Sequence, residues 1–138
     1  MKIKAYTLFT PSHKKFLYEY LLDSFKHNEN IELTIIHKPQ LCETAEFGTD
    51  GWHGTMYYKA NCFYDKLKEC SDDEIFMFID PDIVIYRDFY DDIVKRMETV
   101  DMVFQNDGPG GVNTCFFAVK NNKKTRAFFN TVRGNLEK

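Results

Sequence analysis

The sequence predicts an α/β fold: a three-layer α/β/α sandwich around a mostly parallel sheet, in one domain spanning residues 1–138. Three observations predict it. Short apolar, β-branched runs alternate with amphipathic stretches of helical period. The first strand, helix and second strand fit inside about forty residues, the size of a βαβ unit with a right-handed crossover. The run Ile75-Phe76-Met77-Phe78-Ile79 is apolar throughout, as a strand covered on both faces requires.

Taken in order, Ile3 to Phe9 reads as the first strand. It is followed by Thr10-Pro11-Ser12, where Thr10 or Ser12 can cap a helix and Pro11 is tolerated at its entry. Phe16, Leu17, Tyr20, Leu21 and Phe25 recur at helical spacing. Asn28-Glu29-Asn30 stops that helix, and Ile31 to Ile36 is the second strand. Residues 40–54 have no period and contain Gly48, Gly51 and Gly54, so they read as a loop near the ligand side, whose Trp52 and His53 either stack or hydrogen-bond with ligand or anchor the loop. Met56, Ala60, Phe63 and Leu67 mark a second helix running to about Cys70. Past the 75–79 strand, a helix is expected from about Phe89 to Glu98, with strands at 100–105 and 114–119 around an Asn106–Gly111 loop. Thr125, Phe128, Phe129, Val132 and Leu136 then make a terminal helix.

Composition narrows the function classes. The chain has 138 residues, 43% hydrophobic and 28% charged, ordinary for a globular protein. Aromatics make up 16%, with 13 Phe and 8 Tyr, which is most simply a core of large side chains. A net charge of −3 without a basic run argues against nucleic acid as a partner. No apolar stretch is long enough to span a membrane, and the one after Met1-Lys2-Ile3-Lys4 is too short for a signal peptide. Cys42, Cys62, Cys70 and Cys115 lack metal-type spacing and read as free thiols, so the expected location is cytoplasmic, or facing it.

The chemistry concentrates at Asp80-Pro81-Asp82. Two carboxylates at the end of a buried strand are costly unless something cationic meets them. In open α/β sheets, ligands gather at the carboxyl ends of the strands. Residues i and i+2 of an extended segment point to one side, which lets Asp80 and Asp82 converge. Hard oxygen ligands without His or Cys suit Mn²⁺ or Mg²⁺, which keep waters and bind substrate diphosphate. A plain reading, in which the motif only turns the chain, is disfavoured by the apolar runs on both sides.

The run Phe76-Met77-Phe78-Ile79-Asp80-Pro81-Asp82-Ile83-Val84, with Arg87-Asp88 beyond it, resembles the Asp-x-Asp segment of GT-A glycosyltransferases of the nucleotide-diphospho-sugar transferase type. Lys59, in the helix before the motif strand, matches a Lys that faces the donor in such enzymes. Gly111-Val112-Asn113-Thr114-Cys115-Phe116-Phe117 is similar to the family's Asn-Ser/Thr-Gly-Phe-Phe segment lining the donor sugar, with Cys115 in place of Gly. The resemblance implies a Rossmann-like, GT-A-type sheet and a nucleotide-diphosphate sugar donor, UDP favoured over GDP. It also implies a Mn²⁺ or Mg²⁺ ion on Asp82 and Asp80, a base held near Thr7, Phe9 and Thr10, and donor contacts from Lys59, Asp80 and Asn113. The acceptor, whether glycan, lipid or protein, is open, and no residue stands out as catalytic base. GT-A enzymes commonly run well past this length and supply a later metal-binding His, whereas all four His here (13, 27, 37, 53) precede the motif, so a C-terminal truncation is an open expectation.

Two other readings remain. Four apolar residues followed by Asp80-x-Asp82 also fit the first motif of haloacid-dehalogenase-type phosphatases, with Asp80 as nucleophile and Asp82 as general acid. That family places the motif near the start of the chain and needs a later acidic pair, which is missing here. The other reading is a non-catalytic nucleotide-sugar-binding domain. Gly108-Pro109-Gly110-Gly111 is not a dinucleotide-binding fingerprint, because no third Gly opens a helix two residues on.

Overall fold

The computed structural model describes residues 1–43 and 46–137. Its strands are β1 (Ile3–Phe9), β2 (Ile31–His37), β3 (Ile75–Ile79), β4 (Met102–Asn106) and β5 (Val112–Lys120). A helical stretch over 11–27 forms α1, and the remaining helices are α2 (Asp50–Glu69), α3 (Tyr90–Met97) and α4 (Lys123–Leu136). The strands form one sheet in the order β2-β1-β3-β5-β4.

The parallel half is β2-β1-β3, in register from Ile3 against Ile31 and from Lys4 against Phe76. β5 then runs antiparallel to both β3 and β4. The expected "mostly parallel" sheet is therefore mixed, with four strands in one direction and β5 against them. The reason is in the 107–111 loop. Five residues can make a hairpin, but a parallel return needs a crossover of a dozen or more. Gly108 and Gly110, at φ 87° and 76°, supply the left-handed residues that this tight return needs.

Alternation along β1 and β3 divides the core. Ile3, Ala5, Met77 and Ile79 face α1 and α3 and pack with Leu17, Leu21, Ile93 and Met97. Tyr6, Leu8, Phe76 and Phe78 face α2 and α4 and pack with Phe63, Leu67, Phe117 and Phe129. Phe117 sits at the centre of this second layer, its ring 4.9 Å from Phe63, 5.3 Å from Phe104 and 5.6 Å from Phe129. The aromatic richness of the sequence is thus mostly core, and helices cover both faces as a sandwich requires.

Two elements differ from the sequence reading. Within α1, a single turn of α-helix (Lys14–Phe16) passes into a π-helical stretch, Leu17–Leu22. Leu17 and Leu21 are buried, while Phe16 and Tyr20 stay partly exposed, at 36% and 40%. The larger difference is α2, which begins at Asp50, so Trp52 and His53 lie on a helix rather than a loop. Thr49 caps it by accepting the Trp52 N–H. The glycines that suggested a loop serve close packing instead. A Cβ on Gly51 would fall 2.3 Å from Cys42 Cβ, and one on Gly54 would fall 2.6 Å from Leu41 Cδ1.

Candidate active site

β3 delivers Asp80 to the carboxyl end of the parallel half-sheet. Pairing continues one residue beyond the strand, where the Asp80 N–H donates to Cys115 O at 2.7 Å. Pro81 has no N–H to extend the ladder. The chain turns instead, with Ile83 N–H reaching back to Asp80 O at 3.3 Å. The motif is therefore a turn and not the extended i, i+2 geometry the sequence suggested. After the turn, Ile83 and Ile85 dip toward the α1 layer, and Val84 and Tyr86 face outward. Ser24 and Asn28 of the α1 end tether this segment by accepting the Ile85 and Phe89 N–H groups.

The cation that the buried carboxylate requires is Lys59. Its Nζ lies 2.7 Å from Asp80 Oδ1, and its side chain is 11% exposed against 22% for Asp80. The same ammonium stands 5.2 Å over the Phe78 ring. Burial pushes the Asp80 carboxyl above its ordinary range, only partly countered by Lys59, while the neighbouring Asp82 charge pushes it further up. Asp82 is exposed at the tip of the turn.

Asp80, Pro81, Asp82 and Lys59 line a cavity of about 210 Å³ with Leu8, Phe9 and Thr10 of the β1 end. His13, Gln40, Cys42, Trp52, Thr55 and Met56 complete its walls. Five of the seven residues singled out in the sequence thus meet in one place: Phe9, Thr10, Lys59, Asp80 and Asp82. The other two stand apart. Thr7 is fully buried inside β1 with its hydroxyl unpartnered. Asn113 lies on β5, where its Oδ1 accepts the Cys115 N–H at 2.8 Å. Cys115 stands opposite Asp80 on the neighbouring strand. Its thiol, pushed up by burial and then by the Asp80 charge, donates to Gln105 Oε1 at 2.8 Å.

Sequence reasoning missed His13 and Gln40 as cavity residues and left Trp52 open between a ligand contact and a loop anchor. For Trp52 a signal existed: Trp52, Thr55, Met56 and Lys59 continue toward the helix start the stripe that carries Phe63 and Leu67. For Gln40 and His13 none did, since a half-exposed His and an amide in a loop carry no pattern.

Among the described residues, no group of three or more His, Cys, Asp or Glu converges as a metal-ligand set. The Asp pair fits an ion that takes one or two carboxylates and completes its shell with water and substrate oxygens. It does not fit one caged by protein alone. Asp80 keeps one oxygen free of Lys59, and Asp82 is accessible.

Comparison with known proteins bears on the fold and the family. No curated protein matches the chain in sequence. The fold is similar to that of the glycosyltransferase GlyE of Streptococcus pneumoniae TIGR4, at 12% identity and a TM-score of 0.66, covering 100% of this chain and 39% of that one. The apo form of GlyE gives 13% identity, a TM-score of 0.55, and coverage of 98% and 37%. A glycosyltransferase involved in glycosylation of the major capsid of PBCV-1 gives 14%, 0.55, 97% and 66%. The chain thus spans about two fifths of the length of GlyE. The sequence model of the nucleotide-diphospho-sugar transferases matches residues 22–138, from the end of α1 through the Asp-Pro-Asp turn to the last residue, and the chain belongs to that family.

Proposed function

We propose that the chain holds a nucleotide-diphosphate sugar, UDP-linked in preference to GDP-linked, for metal-dependent transfer of the sugar to an acceptor. The observation that carries the reading is the half-buried Lys59–Asp80 pair beside exposed Asp82 in a cavity at the carboxyl ends of β1 and β3. A salt bridge whose carboxylate is still pushed toward protonation is a poor stabilising device and a reasonable ligand-binding one.

Asp82, with the free oxygen of Asp80, would hold Mn²⁺ or Mg²⁺. When bound, the ion supplies positive charge against the diphosphate leaving group. Lys59 fixes Asp80 in place and puts a second cation at the same end of the cavity, within reach of a donor hydroxyl or phosphate oxygen. Phe9 and Thr10, at the end of β1, border the nucleoside part. Asn113, Thr7 and Cys115 lie outside this cavity, and a contact from Asn113 to the sugar belongs to the space beyond Asp80. The same two Asp residues would serve a phosphatase, but two parallel strands precede the motif here, and the family match favours transfer.

Titration of UDP by calorimetry, with and without Mn²⁺, on wild type and Asp82→Asn tests the reading. Metal should tighten binding to wild type by tenfold or more, on the order of a charge-assisted contact, and add nothing to the variant. Equal binding in all four titrations would sink it. Turnover of small phosphate esters lost in Asp80→Asn would favour the phosphatase.

A further inference from the structure

The cavity has two chemically distinct ends. Lys59, Asp80 and Asp82 give one end charge, while Trp52, on the same wall of α2, is aromatic, and Leu8, Phe9 and Met56 add apolar lining. Trp52 stands two helical turns before Lys59 on the same face of α2, roughly 10 Å further along the axis. At that distance it projects past the end of the sheet, where the stripe that lower down fills the core has no strand to cover. Its indole is half-buried, packed at 4.6 Å on Phe47 and edge-on at 5.0 Å to His53. Beside it, Gln40 Oε1 accepts the Ser12 N–H at 3.1 Å, and among the described residues its NH₂ meets only the Cys42 sulfur, at 4.0 Å. A flat aromatic wall next to an amide with donor capacity to spare is the chemistry that reads a nucleobase: a face for stacking and an edge for a ring carbonyl.

We infer that Trp52 is the stacking wall for the base of the nucleotide, with the Gln40 amide at the base edge. The inference rests on the donor reading above and deepens it. It assigns the helix start, and not only the end of β1, to nucleotide selection. It also orients the ligand, base toward Trp52 and diphosphate toward Asp82.

Trp52 is the only tryptophan in the chain, so its emission reports on the site directly. The full chain is titrated with UDP, GDP, uridine and ribose 5-phosphate, following Trp emission, with Mg²⁺ and without it. UDP and Asp82→Asn are then paired with Trp52→Leu and Trp52→Phe in calorimetry, with thermal melts to confirm folding. Saturable quenching by UDP or GDP and by uridine, but not by ribose 5-phosphate, is expected. Trp52→Leu should lose affinity by about tenfold with or without metal, the usual scale for one base–aromatic stack, and Trp52→Phe should recover most of it. Asp82→Asn should keep the uridine response and lose only the metal-dependent gain. If Trp52→Leu binds UDP as wild type does while Asp82→Asn loses its metal dependence, the inference falls and the donor reading stands. If wild type binds neither UDP nor GDP, both fall. Should Trp52→Leu not fold, an emission unchanged by saturating UDP in wild type overturns the inference by itself.

Discussion

The two ends of β3 each carry an acid paired with a lysine, and the two pairs behave oppositely. At the start of the strand, Glu74 accepts the Ser71 N–H at 2.7 Å and Lys4 Nζ at 3.0 Å. Burial raises the Glu74 carboxyl, but these two partners outweigh it, and the group sits below its ordinary 4.5. Nearby, buried Asn121 donates to Cys70 O and Ser71 O and accepts from Arg126, which closes the α2–β3 turn. At the far end, Asp80 has the shorter ion pair, yet burial wins and its carboxyl is pushed above 3.8. Polar groups at the start of β3 are satisfied within the protein, as stability requires. At its end they are left under tension, which is how binding sites are commonly built.

The first way to break this contrast is Asn121→Ala. It strands the Cys70 carbonyl and removes contacts to Ser71 O and the Arg126 guanidinium at a fully buried position, and should cost about 2 kcal/mol or more in denaturant unfolding while UDP affinity stays unchanged. A loss of affinity equal to that of a site variant would mean the two ends are not separable.

Next in size is Lys59→Met, which leaves the Asp80 charge without its partner. Discounted for the solvent that still reaches Asp80, the loss at neutral pH should be about 2 kcal/mol. The pH dependence fixes the cause. The Asp80 carboxyl lies above its unfolded value, so its ionised form opposes folding; that penalty grows as the pH rises from 3.8 through the folded value and is absent in acid. The Lys59→Met defect should therefore shrink as the pH falls, and Lys59→Met/Asp80→Leu should regain most of the stability. A defect independent of pH would assign Lys59 to packing on Phe78 instead.

Glu74→Gln should show the smallest effect and the opposite slope. A carboxyl held below its ordinary value stabilises the fold above pH 4.5, and that contribution is lost as the pH falls through the folded value. Unfolding curves of wild type and Glu74→Gln should converge in acid and separate above it. Curves that separate only in acid would contradict the assignment.

How far the sequence reveals these regions follows from where each signal is written. β1, β2, β3 and α4 are legible because a short apolar, β-branched run or a helical stripe is itself the cause of the element. Asp80, Asp82 and Lys59 are legible because a buried acid demands a cation and the family pattern names one. The start of α2 is not legible. Gly51 and Gly54 read as breakers, yet they are there so that Leu41 and Cys42 can pass close, a tertiary cause invisible in a local window. The helical placement of Trp52 was lost with them, which left it open between a ligand contact and a loop anchor. The antiparallel β5 was hidden differently: its apolar run is equally good in either direction, and only the five-residue return fixes which.

The most direct measurement sets Asp82→Asn beside Asn121→Ala, comparing melting temperature and UDP affinity with Mn²⁺ for both against wild type. Asp82, exposed at the turn, should melt with wild type when replaced and lose the metal-dependent affinity. Asn121→Ala should do the reverse, melting lower while binding UDP as tightly as wild type. An Asp82→Asn protein that keeps metal-dependent UDP binding would contradict the claim that the carboxylate end of β3 is where the donor is held.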